Sequence, residues 1–235
     1  TLSKFKRWTF SNTLQIDKTF KEKHSFNLLG GLEQDRRTTS QFGLTRRVVT
    51  DPFYTIIQGG FTTDVNSNLG FGENYLQSAF GRFNYNYKQK YFVSANMRSD
   101  EYSAIPGKKE VFYGFSGAWQ VDQEKFWGTP IRKVFSSLKL KGSYGKVGNT
   151  GGIGDFATYS TFNSGVYGGN ATLGFNNAGN RNLKWETSTQ FNVGAIIGFF
   201  KDRMSLEMTY YKNNISNLIL AVPQAPSTGV PNAIL

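Results

Sequence analysis

A chain of 235 residues with 16% aromatic side chains, 26 Gly and 18% charged residues favours strands and turns over helices. It has no Cys, which excludes a disulfide framework and a thiolate metal site, and no apolar run reaches the roughly 18 residues of a membrane-crossing helix. The net charge of +11 is scattered as the pairs Arg36-Arg37, Arg46-Arg47, Lys108-Lys109 and Arg132-Lys133, in or beside expected loops, so no groove-reading face for nucleic acid forms. A membrane β-barrel is untouched by these exclusions, because only every second residue of its strands must face lipid. Thr1 to Arg7 is polar and basic without an apolar core, unlike a signal peptide, so the chain is expected to be a processed or excised piece, or else cytoplasmic.

Trp8 to Asp17 opens with a period of two, placing Trp8, Phe10, Leu14 and Ile16 opposite Thr9, Ser11, Thr13 and Gln15. After a Lys-rich turn at 18–23, a second strand runs from His24 to about Thr38, with Phe26, Leu28, Gly30 and Leu32 on its apolar face. The lone His24, at a strand start, reads as an interfacial or turn residue, having no partner for metal or triad chemistry. Thr39 to Asn74, rich in Gly, Asn and Thr, is expected to be a long loop. Tyr75 to Asp100 follows as a hairpin around Lys88-Gln89-Lys90: Phe83, Tyr85, Tyr87, Tyr91, Val93, Ala95 and Met97 share one face, Arg82, Asn84, Asn86, Ser94, Asn96 and Arg98 the other.

A connection at 104–110 carries the turn signal Pro106-Gly107, and a fifth strand spans Val111 to Asp122. From Asp122, a helical turn over Glu124-Lys125-Phe126 is expected to end at Gly128-Thr129-Pro130. Strand six is Leu138 to Val147. A second long loop is expected over 148–183. Strands seven and eight, Lys184 to Phe199 and Arg203 to about Leu220, close on the turn Phe200-Lys201-Asp202, and the Pro- and Gly-rich tail is expected to hold no strand.

The connections thus alternate, tight at 18–23, 88–90 and 200–202 and longer and partly helical at 123–136, against loops at 39–74, 104–110 and 148–183. This asymmetry predicts an all-β fold, antiparallel strands of a transmembrane β-barrel with short periplasmic turns and long extracellular loops, about eight strands in this section. Phe20, Phe26, Tyr85, Tyr87, Tyr91, Phe199 and Phe200, beside the short turns, are placed for an interfacial girdle. A soluble antiparallel sandwich burying the same faces is the competing fold, but strands of 12 to 16 residues exceed the roughly five or six of globular sheets.

The runs GRFNYNYKQKYFVSANMRSDEYS (81–103), FSGAWQVDQEKF (115–126), LKLKGSYGKVGNTGGIGDF (138–156), NLKWETSTQFNVGAIIGFF (182–200) and RMSLEMTYYKNNISNLIL (203–220) resemble the SusC/RagA family of TonB-dependent outer-membrane transporters of Bacteroidetes. The resemblance implies that residues 1–235 are part of a plugged transporter barrel of roughly 22 strands, without counterparts here of the plug, the TonB-contacting segment or the final strands. It further implies an active importer of large nutrients, a glycan or peptide solute, with a SusD-like surface lipoprotein as lid and the TonB complex as energy source. A soluble or surface-attached β-sandwich binding module and a passive porin are the alternatives.

No catalytic, cofactor or metal site is expected. Gly152 to Ala157 matches the G-x-G-x-x-A dinucleotide fingerprint, but neither a helix nor a suitably spaced acidic residue follows. The neighbouring carboxylates Asp100-Glu101 and Asp122/Glu124 make poor acid/base pairs, because adjacent strand residues point to opposite faces. The candidate contacts for ligand or lid are the loop aromatics Phe53, Tyr54, Tyr159, Phe162 and Tyr167. Arg82, Asn96, Arg98, Lys139 and Lys141 are the candidate lumen-lining residues, to face solute or to pair with a plug.

Overall fold

The computed structural model describes residues 1–49, 51, 53, 56, 61–107, 109–230 and 232–234. In chain order the strands are β1 (Leu2–Phe20), β2 (His24–Val49), β3 (Phe61–Tyr87), β4 (Tyr91–Tyr102), β5 (Lys109–Gln120), β6 (Phe135–Asn149), β7 (Thr161–Tyr167), β8 (Asn170–Asn177), β9 (Glu186–Phe199), β10 (Met204–Ser216), β11 (Ala221–Pro223) and β12 (Asn232–Ile234). One short helix, α1 (Thr129–Val134), and two 3-10 turns complete the described elements. Eight strands form one antiparallel sheet in the order β1-β2-β3-β4-β5-β6-β9-β10, and β7-β8 and β11-β12 are separate hairpins.

The sheet is a single curled layer. One concavity of about 880 Å³ touches all eight of its strands, from Asp17 on β1 to Thr209 on β10. In a flat sheet these edges would lie roughly 34 Å apart at about 4.8 Å per strand. Many of the side chains that flank this hollow are polar, among them Asn84, Ser94, Ser116, Ser143 and Asn192, with Phe92 and Ala118 beside them. The opposite, convex face carries Leu14, Leu28, Val93, Phe115, Leu140, Val193 and Met208, all exposed. Among the described residues no second sheet lies against this apolar face, an arrangement unlike a sandwich and fitted to lipid.

At the short-turn end the convex face closes into an aromatic belt. His24 and Tyr87 lie 4.8 Å apart, Phe26 and Tyr85 5.0 Å, Tyr87 and Tyr91 6.2 Å, and Tyr91 stacks on Trp119 at 6.2 Å. Phe135 and Phe199 continue it at 5.4 Å. The His24 Nδ1 is 2.8 Å from the Tyr85 hydroxyl, so the single histidine is a belt residue. Rings with polar tips suit this depth, where one end is apolar and the other wet.

Four expectations are corrected. The loop expected over 39–74 is mostly strand: β2 continues to Val49 and β3 begins at Phe61, in register from His24↔Tyr87 to Thr45↔Asn66. At about 3.3 Å per residue, β2 spans roughly 85 Å, whereas crossing a bilayer takes about ten residues. The excess is wet on both faces and needs no alternation, so its polar Thr-, Asn- and Gly-rich sequence hides the pairing, and Arg36, Arg37, Arg46 and Arg47 lie in strand. The loop expected over 148–183 contains the β7–β8 hairpin. Gly128-Thr129-Pro130 starts a helix rather than ending one, because Pro occupies its first turn, where its missing N–H costs nothing. The tail, expected to be strandless, pairs β11 with β12.

Candidate functional site

Register fixes the concave face. Asp17 pairs with Asn27, Asn27 with Asn84, Asn84 with Ser94, Ser94 with Ser116, Ser116 with Ser143 and Ser143 with Asn192. This polar rung crosses seven of the eight strands in a straight line. Its first half is a directed chain: Ser94 Oγ donates to Asn84 (2.6 Å), the Asn84 amide to Asn27 (2.9 Å) and the Asn27 amide to Asp17 (2.6 Å), where Gln15 also donates (2.6 Å). Each donor polarises the next toward the carboxylate.

The next rungs hold the expected lumen residues. Arg82 stands directly opposite Asn96, and Arg98 opposite Phe80. Lys139 and Lys141 lie on the same concave face of β6, opposite Gln120 and Ala118. Lys139 sits 5.3 Å over the Phe92 ring, and Lys141 pairs with Glu207. All five residues therefore share one face, and Arg82, Asn96 and Arg98 form one polar group on β3 and β4.

Arg98 is the best-connected of them. Its Nε donates to Asp100 (2.7 Å), and its Nη2 donates to Glu33 (3.0 Å) and to Ser78 (2.7 Å), tying β2, β3 and β4 together. The guanidinium also lies 5.6 Å from the Phe80 ring centre. The Phe80 ring in turn occupies the space beside Gly31, where a Cβ would come 2.6 Å from its Cζ. Asp100 is only 7% exposed, and Arg98 is the cation it pairs with. Arg98→Ala, which leaves Asp100 and Glu33 without it, is expected to lower stability by about 2–3 kcal/mol. Urea unfolding in vesicles measures this, and Asp100→Asn in the same background should recover part of the loss; independent effects of the two changes would refute the coupling.

Above the Arg98 group the 148–183 segment folds inward. Ile153, Ala157, Leu183 and Trp185 form a buried cluster with Ala104, Ile105 and Phe112, joined by Leu76 and Tyr102. Leu76, Tyr102 and Phe112 are concave-face residues by the register that places Arg98 and Asp100 there. The Asn74 amide adds a 2.8 Å hydrogen bond to Asp155. The apparent dinucleotide fingerprint is part of this cluster, with Ile153 and Ala157 as packing residues.

The loop aromatics are placed apart from one another. Tyr159 lines a cavity of about 270 Å³ with Ile105, Pro106, Thr158 and Arg181. Phe162 packs on Phe175 at 4.7 Å in the β7–β8 hairpin, and Tyr167 is exposed at its tip. Phe53 is exposed on the β2–β3 connection, and Tyr54 lies outside the described residues.

At the other rim, two carboxylates pin the β5–β6 connection. Glu124 accepts from the Tyr91 hydroxyl (2.8 Å), the Trp119 indole (3.3 Å) and Lys90 (3.3 Å). The Tyr91 bond chiefly holds its pKa below the ordinary carboxylate range, against some desolvation, with Trp119 and Lys90 adding to the effect. Asp122 accepts from Gln120 (2.6 Å), the Leu138 amide (3.1 Å) and Gln123 (3.1 Å). Both carboxylates have the surroundings of structural clamps.

Glu33, Ser78, Phe80 and the Asp17 rung were not anticipated as site residues. A signal was present, because counting back equally from each short turn pairs Asp17 with Asn27 and Asn84 with Ser94.

Comparison with known proteins agrees with this geometry. Residues 2–233 match the family described as "TonB dependent receptor-like, beta-barrel". TonB-dependent receptor P26 of Formosa agariphila is 29% identical over 95% of this chain and 23% of its own length. TonB-dependent receptor SusC of Bacteroides thetaiotaomicron is 28% identical over 63% of this chain and 16% of its own. The chain thus spans about a quarter or less of these relatives. Among solved structures, that of the RagAB peptide transporter superposes with a TM-score of 0.87 at 24% identity, over 99% of this chain and 26% of that one, a likeness of fold. From residue 2 to residue 233 this chain belongs to the TonB-dependent receptor-like β-barrel family, and its eight long strands are a section of an outer-membrane barrel wall.

Proposed function

We propose that this section forms part of the inner wall of an active importer for large nutrients, glycans or peptides, which works by binding and gated passage without bond making. The observation that carries the reading is the polar rung that crosses the concave face from Asp17 to Asn192, with the inward-folded 148–183 segment over its long-loop end. Arg82, Asn96, Arg98, Lys139 and Lys141 line the solute path or the face on which a plug rests. Phe53, Tyr54, Tyr159, Phe162 and Tyr167 are contacts for solute or lid, and a SusD-like surface lipoprotein is the lid this family context favours. The TonB complex supplies energy through parts of the protein outside this section. A sugar ring stacks on an exposed aromatic such as Tyr167 by the same physics that holds aromatic pairs.

The test is uptake by cells carrying the full-length transporter. Uptake of oligosaccharide or oligopeptide is expected to stop when the proton gradient is dissipated, and the tagged protein is expected to co-purify with a surface lipoprotein. Uptake that persists without the gradient would establish a passive porin instead.

A further inference from the structure

The short-turn rim is basic. The connections 18–23, 88–90, 121–134 and 200–203 contain ten Lys or Arg against four Asp or Glu. The backbone makes this more telling. Phe20 and Lys23 close a hairpin turn by a 3.2 Å bond, and Tyr87 and Lys90 another by 2.9 Å. Their central residues are Lys21 and Glu22 (φ 50° and 53°) and Lys88 and Gln89 (φ 50° and 54°). In the third short turn Lys201 has φ 60°. Positive φ at such positions is where Asn and Gly are favoured, because a larger side chain crowds the backbone. Each of these turns nevertheless places a Lys there.

The lysines also point somewhere specific. The Lys21 ammonium lies 5.3 Å from the Phe20 ring centre, and that of Lys88 lies 5.2 Å from the Tyr87 ring centre. Both rings belong to the convex aromatic belt, so both charges stand on the lipid side of the rim, one layer beyond the belt. That is the depth of lipid phosphates, where Lys stems lie along apolar surface and their heads reach the polar layer.

We infer that the short-turn rim is a binding surface for anionic phospholipid headgroups, with Lys21, Lys88 and Lys201 as its contacts. The lipid's phosphate meets the ammoniums, its acyl chains lie on the convex apolar strands, and the belt aromatics fix the depth between them. The three lysines hold strained turn positions because an Asn there would relax the backbone and lose the phosphate.

The experiment uses the full-length transporter, purified with mixed phosphatidylglycerol and phosphatidylethanolamine and read by native mass spectrometry. Wild type is expected to retain phosphatidylglycerol preferentially. The triple variant K21N/K88N/K201N is expected to lose that preference by roughly a hundredfold, given about fivefold per lysine, while melting at or above the wild-type temperature in zwitterionic detergent. The triple variant K21R/K88R/K201R keeps the preference. Unchanged phosphatidylglycerol retention in the Asn variant would overturn the inference, as would equal loss of both lipids. Displacement of the lipid by millimolar inorganic phosphate would reassign the lysines to free anions.

Discussion

Trp185→Ala is expected to cost about 3–5 kcal/mol and to release the 148–183 segment from the wall. The indole is 5% exposed and packs edge-on against Phe112 at 5.4 Å and against Tyr102 at 6.1 Å. It sits in the cluster that joins this segment to the connection at Ala104 and Ile105. Its Nε1 has no hydrogen-bond partner among the described residues, so the loss is one of packing: a cavity where a bicyclic ring filled the junction of three chain segments. Limited proteolysis of the full-length protein in vesicles should show new cleavage between residues 150 and 183, with the strands intact. Phe175→Ala, in the more exposed β7–β8 hairpin, should leave the anchor protected. An unaltered digestion pattern for the Trp185 variant would show that the cluster does not hold the segment.

The second large effect separates the two faces of the wall at a single pair of neighbours. Val193→Arg is expected to destabilise the barrel by about 2–4 kcal/mol, and Asn192→Arg by less than about 1 kcal/mol. Val193 is exposed on the convex face between Gly142 and Tyr210, in the alternating convex row Phe191, Val193, Ala195 and Ile197 of β9. Asn192 lies on the concave rung, where its amide donates to Ser143 at 3.2 Å. The two substitutions add the same charge to adjacent positions of the same strand, so chain position cancels, and the strand propensities of Val and Asn differ by no more than about 1 kcal/mol. Urea unfolding in phospholipid vesicles gives the difference. Equal losses would mean that both faces are wet and that the convex belt does not meet lipid.

The wall was legible in the sequence wherever one face had to be apolar and the other polar. Phe83, Tyr85 and Tyr87 against Arg82, Asn84 and Asn86 specify strand, face and register together, because a slip of one residue would put the arginine in lipid. Legibility ended where that constraint ended. Residues 39–49 and 69–74 are paired strand, yet water on both sides leaves their composition free to resemble a loop. The β7–β8 hairpin was hidden for the same reason, with only Gly168-Gly169, at φ 59° and 83°, marking its turn. Thr129-Pro130 was misread because Pro ends a helix from within but begins one from its first turn. The lumen candidates all fell on one face, since face follows from parity. The partners of Arg98 were harder to read, because Glu33, Ser78 and Asp100 come from three strands and meet only once pairing is known.

The length of the β2–β3 ribbon bears on how the wall moves. The two strands stay in register without a break from the aromatic belt to Thr45, well past Leu76, where pairing with β4 ends, and β1 accompanies β2 as far as Phe42. A ladder of backbone hydrogen bonds over such a span makes a stiff lever, with one arm in the medium and the other built into the wall. A sideways push on the far end is therefore delivered as torque at the place where the ribbon leaves β4. Glu33 on the first strand and Ser78 on the second hold Arg98 of β4 near that fulcrum. The knot of charge on the inner face therefore sits where a force applied to the ribbon enters the wall.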